Sequence, residues 1–312
     1  MSFWRWLLGT GPAPLVADRA EVHAPERLTR GLMDPERFAS GLGLLHEAME
    51  DLFGLPTGNR DRLIVAHEEG TYGALWAYAD CRPGHHVGIP AASWPMIVNA
   101  ANRRQVLSPM VHEIGHVAFW WDWDSQAGAH YLMWPGAVEG LATPTGTYAC
   151  VRHRRVPAWS DYPDAQRDWA SADDWAAQWI NQGVEARRGG ASGQDSVDQA
   201  GHGQGAAIVE AAVFDLVFNR LGGYGPLRTV YRGYVANRRT PAQVMRSDQE
   251  KMEDFFTALG QAAGRDLSGY LAAWGFEVPE LRRALATLPV VEPVLPTPVA
   301  VAYGPVVAND WA

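Results

Sequence analysis

Ser108-Pro109-Met110-Val111-His112-Glu113-Ile114-Gly115-His116-Val117-Ala118-Phe119-Trp120-Trp121 is the stretch whose reading decides the fold. Ser-Pro opens a helix, with serine as N-cap and proline at the first helical position. Helical residues four apart share one face, so His112 and His116 can reach one metal ion through their imidazoles. Glu113 stands beside the first of them, where it can take a proton from a water that zinc has acidified to a pKa near ~7. The alternative is a surface helix with two histidines flanking an exposed glutamate. Apolar residues on both sides, from Val106-Leu107 to Trp120-Trp121, argue against it. Gly115 in mid-helix costs roughly 1 kcal/mol relative to alanine, which makes sense if another element packs closely there. The motif predicts one Zn2+ per chain.

A catalytic zinc takes three protein ligands and keeps one position open. Two carboxylates are candidates for the third. Asp122 lies six residues after His116, but that spacing calls for a turn-forming glycine where Phe119 stands. Glu139, in Ala137-Val138-Glu139-Gly140-Leu141-Ala142-Thr143, lies 23 residues after His116 and would reach the metal from a second helix. Glu139 is the favoured ligand; its plain alternative is a helix-surface charge. Pro144 predicts that this second helix is short or kinked.

Working outward, Asp34-Pro35-Glu36-Arg37 is a helix start, followed at roughly helical spacing by Leu42, Leu44, Leu45, Met49 and Leu52 up to Gly54. Segments 62–66, 74–78 and 86–90 read as strands, the last predicted at a sheet edge because it ends on Pro90. Ser171 opens a short helix around Trp175 and Trp179, and 189–205 reads as a mobile Gly-rich loop. Residues 206–221 are apolar nearly all round and predict a buried helix ending at Gly222-Gly223. Further helices are expected at 227–237, 251–263, with Ser247 and Glu250 as a capping box, and 267–274. The organisation is an irregular leader (1–25), a sheet with the zinc helices (26–150), a polar insertion and Gly-rich loop (151–205), a helical subdomain (206–287) and a Pro/Val-rich tail (288–312). The fold class is α+β: a small N-terminal mixed sheet with an edge strand over the zinc helix, then a mainly helical C-terminal half.

Composition narrows the function classes. The chain has 312 residues and a net charge of −9 with no long basic cluster, which argues against nucleic acid as a partner. Fourteen tryptophans predict a large aromatic core or an aromatic groove. Two cysteines, Cys81 and Cys150, allow at most one disulfide and are too few for a cysteine zinc site. The apolar start breaks at Gly9, short of the roughly 7–15 residues of a signal peptide, and no run approaches the ~20 apolar residues of a membrane span. A soluble protein is expected.

At this point the chain resembles the gluzincin peptidases, the aminopeptidase-N-like or peptidase MA-like group, over about residues 100–280. Val111–His116 resembles the zinc helix of that group. Val138-Glu139-Gly140-Leu141-Ala142 resembles its Asn-Glu-Gly-Phe-Ala segment, and His202-Gly203-Gln204-Gly205-Ala206 its Tyr-x-Lys-Gly-Ala segment. The resemblance implies a thermolysin-like catalytic architecture and zinc-dependent hydrolysis of a peptide or protein substrate. It implies His112, His116 and Glu139 as ligands and Glu113 as the catalytic base. It places His202 where the family carries its oxyanion-stabilising tyrosine; an imidazole can donate there too, and Tyr148, Tyr231 and Tyr234 are weaker substitutes, each read first as a core residue. The family's Gly-Ala-Met-Glu-Asn segment, which holds a substrate's amino terminus, is replaced by His85-His86-Val87-Gly88-Ile89-Pro90. That points to a peptidase other than an aminopeptidase. Enhancin-like, mucin-cleaving gluzincins are similar in the zinc–Glu arrangement and in a Trp-Gly ending. An extended substrate is expected to pair with the strand at 87–90, and the Gly-rich loop before His202 to act as a lid.

Overall fold

In the computed structural model, residues 14–55, 62–68, 78–80, 86–119, 133–158, 167–198, 203–237 and 246–305 are described. Two short strands, β1 (Leu15–Val16) and β2 (Ala20–His23), and a one-turn helix, α1 (Glu26–Thr29), precede α2 (Pro35–Phe53). The Asp34 carboxylate accepts from Arg37 N at 3.0 Å, which satisfies an otherwise orphaned amide of the first turn of α2. Gly54, at φ 69°, closes the helix in the left-handed conformation that glycine adopts without steric cost.

Strands β3 (Leu63–His67), β4 (Tyr78–Asp80) and β5 (His86–Ile89) complete a sheet of order β1-β2-β3-β5-β4. The β2–β3 and β3–β5 pairs are parallel and the outer two pairs antiparallel, so the sheet is mixed. The expected edge position of the 86–90 strand is corrected. The β5 strand is paired on both sides, because Pro90 follows its last ladder residue, Ile89, and interrupts nothing. The edge strand lying on the helix that carries His112 and His116 is β4 instead.

Helix α3 (Trp94–Asn102) leads into α4 (Ser108–Ala118), which carries the histidine motif. The N-cap of α4 is Leu107 and Ser108 occupies the first helical position, so the helix starts one residue earlier than the sequence suggests. Then come α5 (Pro135–Gly140) and α6 (Ala142–Arg152). The short second helix expected from Pro144 is present as α5, and Pro144 itself sits in the first turn of α6, where it displaces no helical hydrogen bond.

Helices α4 and α6 meet at two glycines. A Cβ on Gly115 would lie 2.0 Å from Ala142 O, and one on Gly146 would lie 2.1 Å from Val111 O. The mid-helix glycine predicted to face another element therefore does so, against backbone. Gly115→Ala is expected to destabilise the fold by about 3 kcal/mol or more despite alanine's better helix propensity, because the obstruction is main chain and cannot rotate away. Urea unfolding followed by circular dichroism checks this; a stability gain would contradict the packing.

Strand β6 (Arg167–Trp169) precedes α7 (Ala172–Arg188), α8 (Asp195–Asp198) and α9 (Gln204–Asp215). Ser171 caps α7 as expected, but the helix has 17 residues and is not short. Part of the stretch expected to be a mobile loop is ordered. Ser192 N donates to Asp195 Oδ2 at 2.8 Å, Ser192 Oγ donates to Gly275 O at 2.6 Å, and buried Trp134 Nε1 donates to Ser196 Oγ at 2.9 Å. Polar side chains there satisfy the backbone locally, which low apolar content alone does not reveal. Helix α9 is buried as predicted and continues into a π-helical turn, residues 216–220, before Gly222 and Gly223 at positive φ.

Helices α10 (Gly225–Asn237), α11 (Asp248–Ala263), α12 (Ser268–Ala273) and α13 (Pro279–Leu285) follow, and β7 (Tyr303–Pro305) pairs antiparallel with β6. The predicted capping box of Ser247 and Glu250 opens α11. The tail is held to the body: Asn181 exchanges two hydrogen bonds with the Val299 backbone, and Asp174 accepts from Ala302 N. One hydrophobic cluster runs from Ala20 to Val291. Trp94, Trp134, Trp175 and Trp274 are fully buried in it, so these four tryptophans serve the core. Cys150 is a buried free thiol whose pKa burial pushes up, while Cys81 lies outside the described residues. Among the described residues no helix is long and apolar enough to cross a membrane.

Candidate metal centre

Helix α4 presents His112 and His116 on one face, one turn apart, with ring centroids 4.5 Å apart and planes at 89°. The short α5 delivers Glu139 in its last turn. Its start is held by the buried Trp134, its N-cap, with Pro135 at the first helical position. The ligand atoms converge: His112 Nε2 lies 3.0 Å from His116 Nε2, and Glu139 Oε2 lies 3.5 Å from the first and 3.4 Å from the second. Tetrahedral zinc with bonds of about 2.0–2.1 Å separates its ligand atoms by about 3.3–3.4 Å, so these donors fit such an ion.

Among the described residues, His112, His116 and Glu139 form the group of metal-capable side chains at this place. His112 and Glu139 each keep 26% of their side-chain surface exposed, so the group is not sealed from solvent. Glu113 is buried at 8% exposure and close enough for its charge to act on His112. Asp122 and His202 lie outside the described residues. Tyr231 and Tyr234 are buried in the core, and the Tyr148 hydroxyl donates to Asp51 at 2.9 Å.

Two neighbours were not singled out in the sequence. Thr143 Oγ1 lies 2.8 Å from His112 Nδ1, and Glu210 stands close enough for its charge to act on His112. The available signals were a threonine four residues after Glu139 and a glutamate, Glu210, in the middle of the largely apolar α9.

The charges here act strongly on one another. Burial alone would lower the His112 pKa, but the Glu139 hydrogen bond and the charges of Glu113, Glu210 and Glu139 outweigh it and push it up to about 9. Burial would raise Glu139, but its hydrogen bonds from His112 and His116 hold it well below the usual carboxylate range. Burial pushes Glu210 up to about 7. A histidine whose folded pKa is raised adds stability that is complete below its unfolded value and lost as pH rises through the folded value. The metal-free protein is therefore expected to lose stability from pH 6.5 through about 9. At the acid end, the depressed Glu139 adds stability that is present above pH 4.5 and lost as pH falls below it. Urea midpoints of chelator-treated protein at about pH 6 and about pH 9 check the first limb; a higher midpoint at the alkaline end would contradict it.

No protein-family model and no curated protein matches the chain. Solved structures do. A functionally unknown conserved protein from Bacillus anthracis str. Ames, as a mutant, superposes with TM-score 0.60 at 14% identity over 93% of this chain and 55% of that one. A metallopeptidase in complex with Tn antigen gives TM-score 0.58 at 13% identity over 92% of this chain and 54% of that one. A metallopeptidase from Bacteroides thetaiotaomicron gives 0.57 at 13% identity over 92% and 49%. The chain thus spans about half the length of the structures it matches. What it shares with them is the architecture: this is an α+β chain with the fold seen in those structures, and its His-His-Glu triangle could hold a metal ion.

Proposed function

We propose that the chain is a zinc-dependent metallopeptidase that hydrolyses peptide bonds, with one ion held by His112, His116 and Glu139. The observation that carries this reading is the triangle itself: three ligand atoms converge, two of them on side chains that keep 26% of their surface exposed, and the chain places an acid, Glu113, next to the first. Structural zinc sites are closed by four protein ligands, whereas catalytic ones keep a position open. Zinc bound there would supply Lewis acidity, polarising a water and the scissile carbonyl. Glu113 accepts the proton of the attacking water and returns it to the leaving amine. His202 donates to the developing oxyanion; it precedes α9 by two residues, and α9 abuts the Glu139 helix at Gly140. The free side of β4, rather than β5, pairs with an extended substrate, since β4 is the edge that lies on α4.

The test is metal analysis and turnover on one preparation. Metal-free protein reconstituted with zinc is expected to hold one ion per chain and to generate new amino termini from an unfolded protein substrate. Stoichiometric zinc without cleavage would favour a zinc-binding module of the same fold; no stoichiometric zinc would remove both readings. The neighbour bound to Tn antigen favours a second reading, a glycoprotein-directed protease. Cleavage of a glycoprotein carrying Tn antigen, lost when the glycan is removed, would support it; equal cleavage of both forms would sink it.

A further inference from the structure

We propose that Thr143 is a positioning residue of the metal site: its buried hydroxyl accepts a hydrogen bond from His112 Nδ1 and so holds the ring with Nε2 turned toward the metal. The proposal rests on the metal-site reading above.

An imidazole ligand gives one nitrogen to the metal and carries its proton on the other; a hydrogen bond at the second fixes both tautomer and ring orientation. In His112 the two nitrogens have different surroundings. Nε2 lies 3.0 Å from His116 Nε2 and 3.5 Å from Glu139 Oε2, whereas Nδ1 lies 2.8 Å from Thr143 Oγ1. With a metal on Nε2, the neutral ring carries its proton on Nδ1, and a hydroxyl oxygen with its lone pairs can accept it. With the opposite polarity, the hydroxyl donating to Nδ1, the ring proton would sit on Nε2 and exclude the ion.

Backbone packing sets this pair in register. A Cβ on Gly146 would lie 2.1 Å from Val111 O, and one on Gly115 would lie 2.0 Å from Ala142 O. Helices α4 and α6 therefore touch main chain to main chain at 111 with 146 and at 115 with 142. The two numbers rise in opposite senses, so the chains cross antiparallel, and the pair 112 with 143 falls between the two contacts. Close-packed main chain leaves little room for either helix to slide. The first turn of α6 is also held from elsewhere: Tyr224 OH donates to Pro144 O at 2.7 Å, and Thr145 Oγ1 pairs with Tyr231 OH at 2.8 Å. Thr143 itself is 2% exposed, and its β-branched side chain has few rotamers open to it. His112 keeps 26% of its side-chain surface exposed, so packing alone does not fix its ring.

The experiment uses the full chain and three readouts: zinc affinity by chelator competition, the visible spectrum of the cobalt-substituted protein, and the nitrogen-15 spectrum of the zinc-loaded protein labelled at histidine. In the wild type, His112 is expected as the Nδ1–H tautomer with a slowly exchanging proton. Thr143→Val keeps the shape and removes the hydroxyl. It is expected to weaken zinc binding by about 10–100-fold, to shift the cobalt bands and to speed exchange of the Nδ1 proton. Thr143→Ser keeps the hydroxyl and is expected to retain wild-type values in all three. A role in packing alone predicts the reverse order, with valine the closer mimic and serine, lacking the methyl, the worse one. That order, or wild-type affinity and bands in Thr143→Val, would overturn the proposal. If Thr143→Val fails to fold, the wild-type spectrum decides: a His112 proton on Nε2, or one on Nδ1 that exchanges freely, would overturn it. Failure of the metal-site reading looks different, since wild-type protein would then bind no stoichiometric zinc.

Discussion

Glu113→Gln is expected to cut peptide turnover by roughly 10²–10⁴-fold while leaving zinc content unchanged. The substitution preserves the volume of a side chain that is only 8% exposed, so the packing of α4 survives. It removes the one function the mechanism asks of that carboxylate, taking and returning a proton. Glu113 is not among the three residues that converge on the metal position, so the ion should stay. The loss should fall on kcat with KM nearly unchanged, because a base acts in the transition state and not in ground-state binding. Full activity in this variant would end the proposed mechanism, and zinc loss would mean that Glu113 belongs to the ligand set.

The second large effect is expected from Glu139→Ala. Glu139 Oε2 is the anionic corner of the triangle, within 3.5 Å of both imidazoles. Removing it leaves two histidine nitrogens 3.0 Å apart with no carboxylate between them and the ion. Zinc affinity should fall by more than the about 100-fold that loss of a mere orienting partner costs. Asp122→Ala should leave it intact. The opposite result, zinc lost with Asp122 and kept without Glu139, would move the third ligand to Asp122. A second signature follows from the electrostatics. The Glu139 hydrogen bond is the leading influence raising His112 against its burial, so the alkaline loss of stability in the metal-free protein should shrink in Glu139→Ala. Denaturation midpoints across pH compare the two.

These predictions rest on residues that differ in how visible they are in the chain. The pair His112 and His116 was legible because helical periodicity alone sets their separation. Gly115 was legible as a contact point because a mid-helix glycine is costly unless something needs the room, and Ala142 O does. Capping chemistry is equally local: Asp34, Ser171 and the Ser247–Glu250 box each satisfy amides within one turn, so those helix starts could be read directly. Helix α6 was missed for the converse reason. Its Ala-Thr-Pro-Thr-Gly-Thr start has poor helical propensity, and it is helical because burial against α4 overrides that preference. The place of β5 inside the sheet was misread because Pro90 marks where a strand ends, not which neighbours flank it.

The sequence by itself determined the motif helix, the α+β class and a short list of third ligands, since each depends on spacing within one element or on capping within one turn. Only the tertiary structure decided that Glu139 meets both histidines, that β4 is the strand at the edge above them, and that Thr143 stands behind His112. Those facts depend on how closely α4, α5, α6 and α9 approach one another. That approach is set by the glycine contacts and core packing among residues far apart in the chain, which no local pattern records.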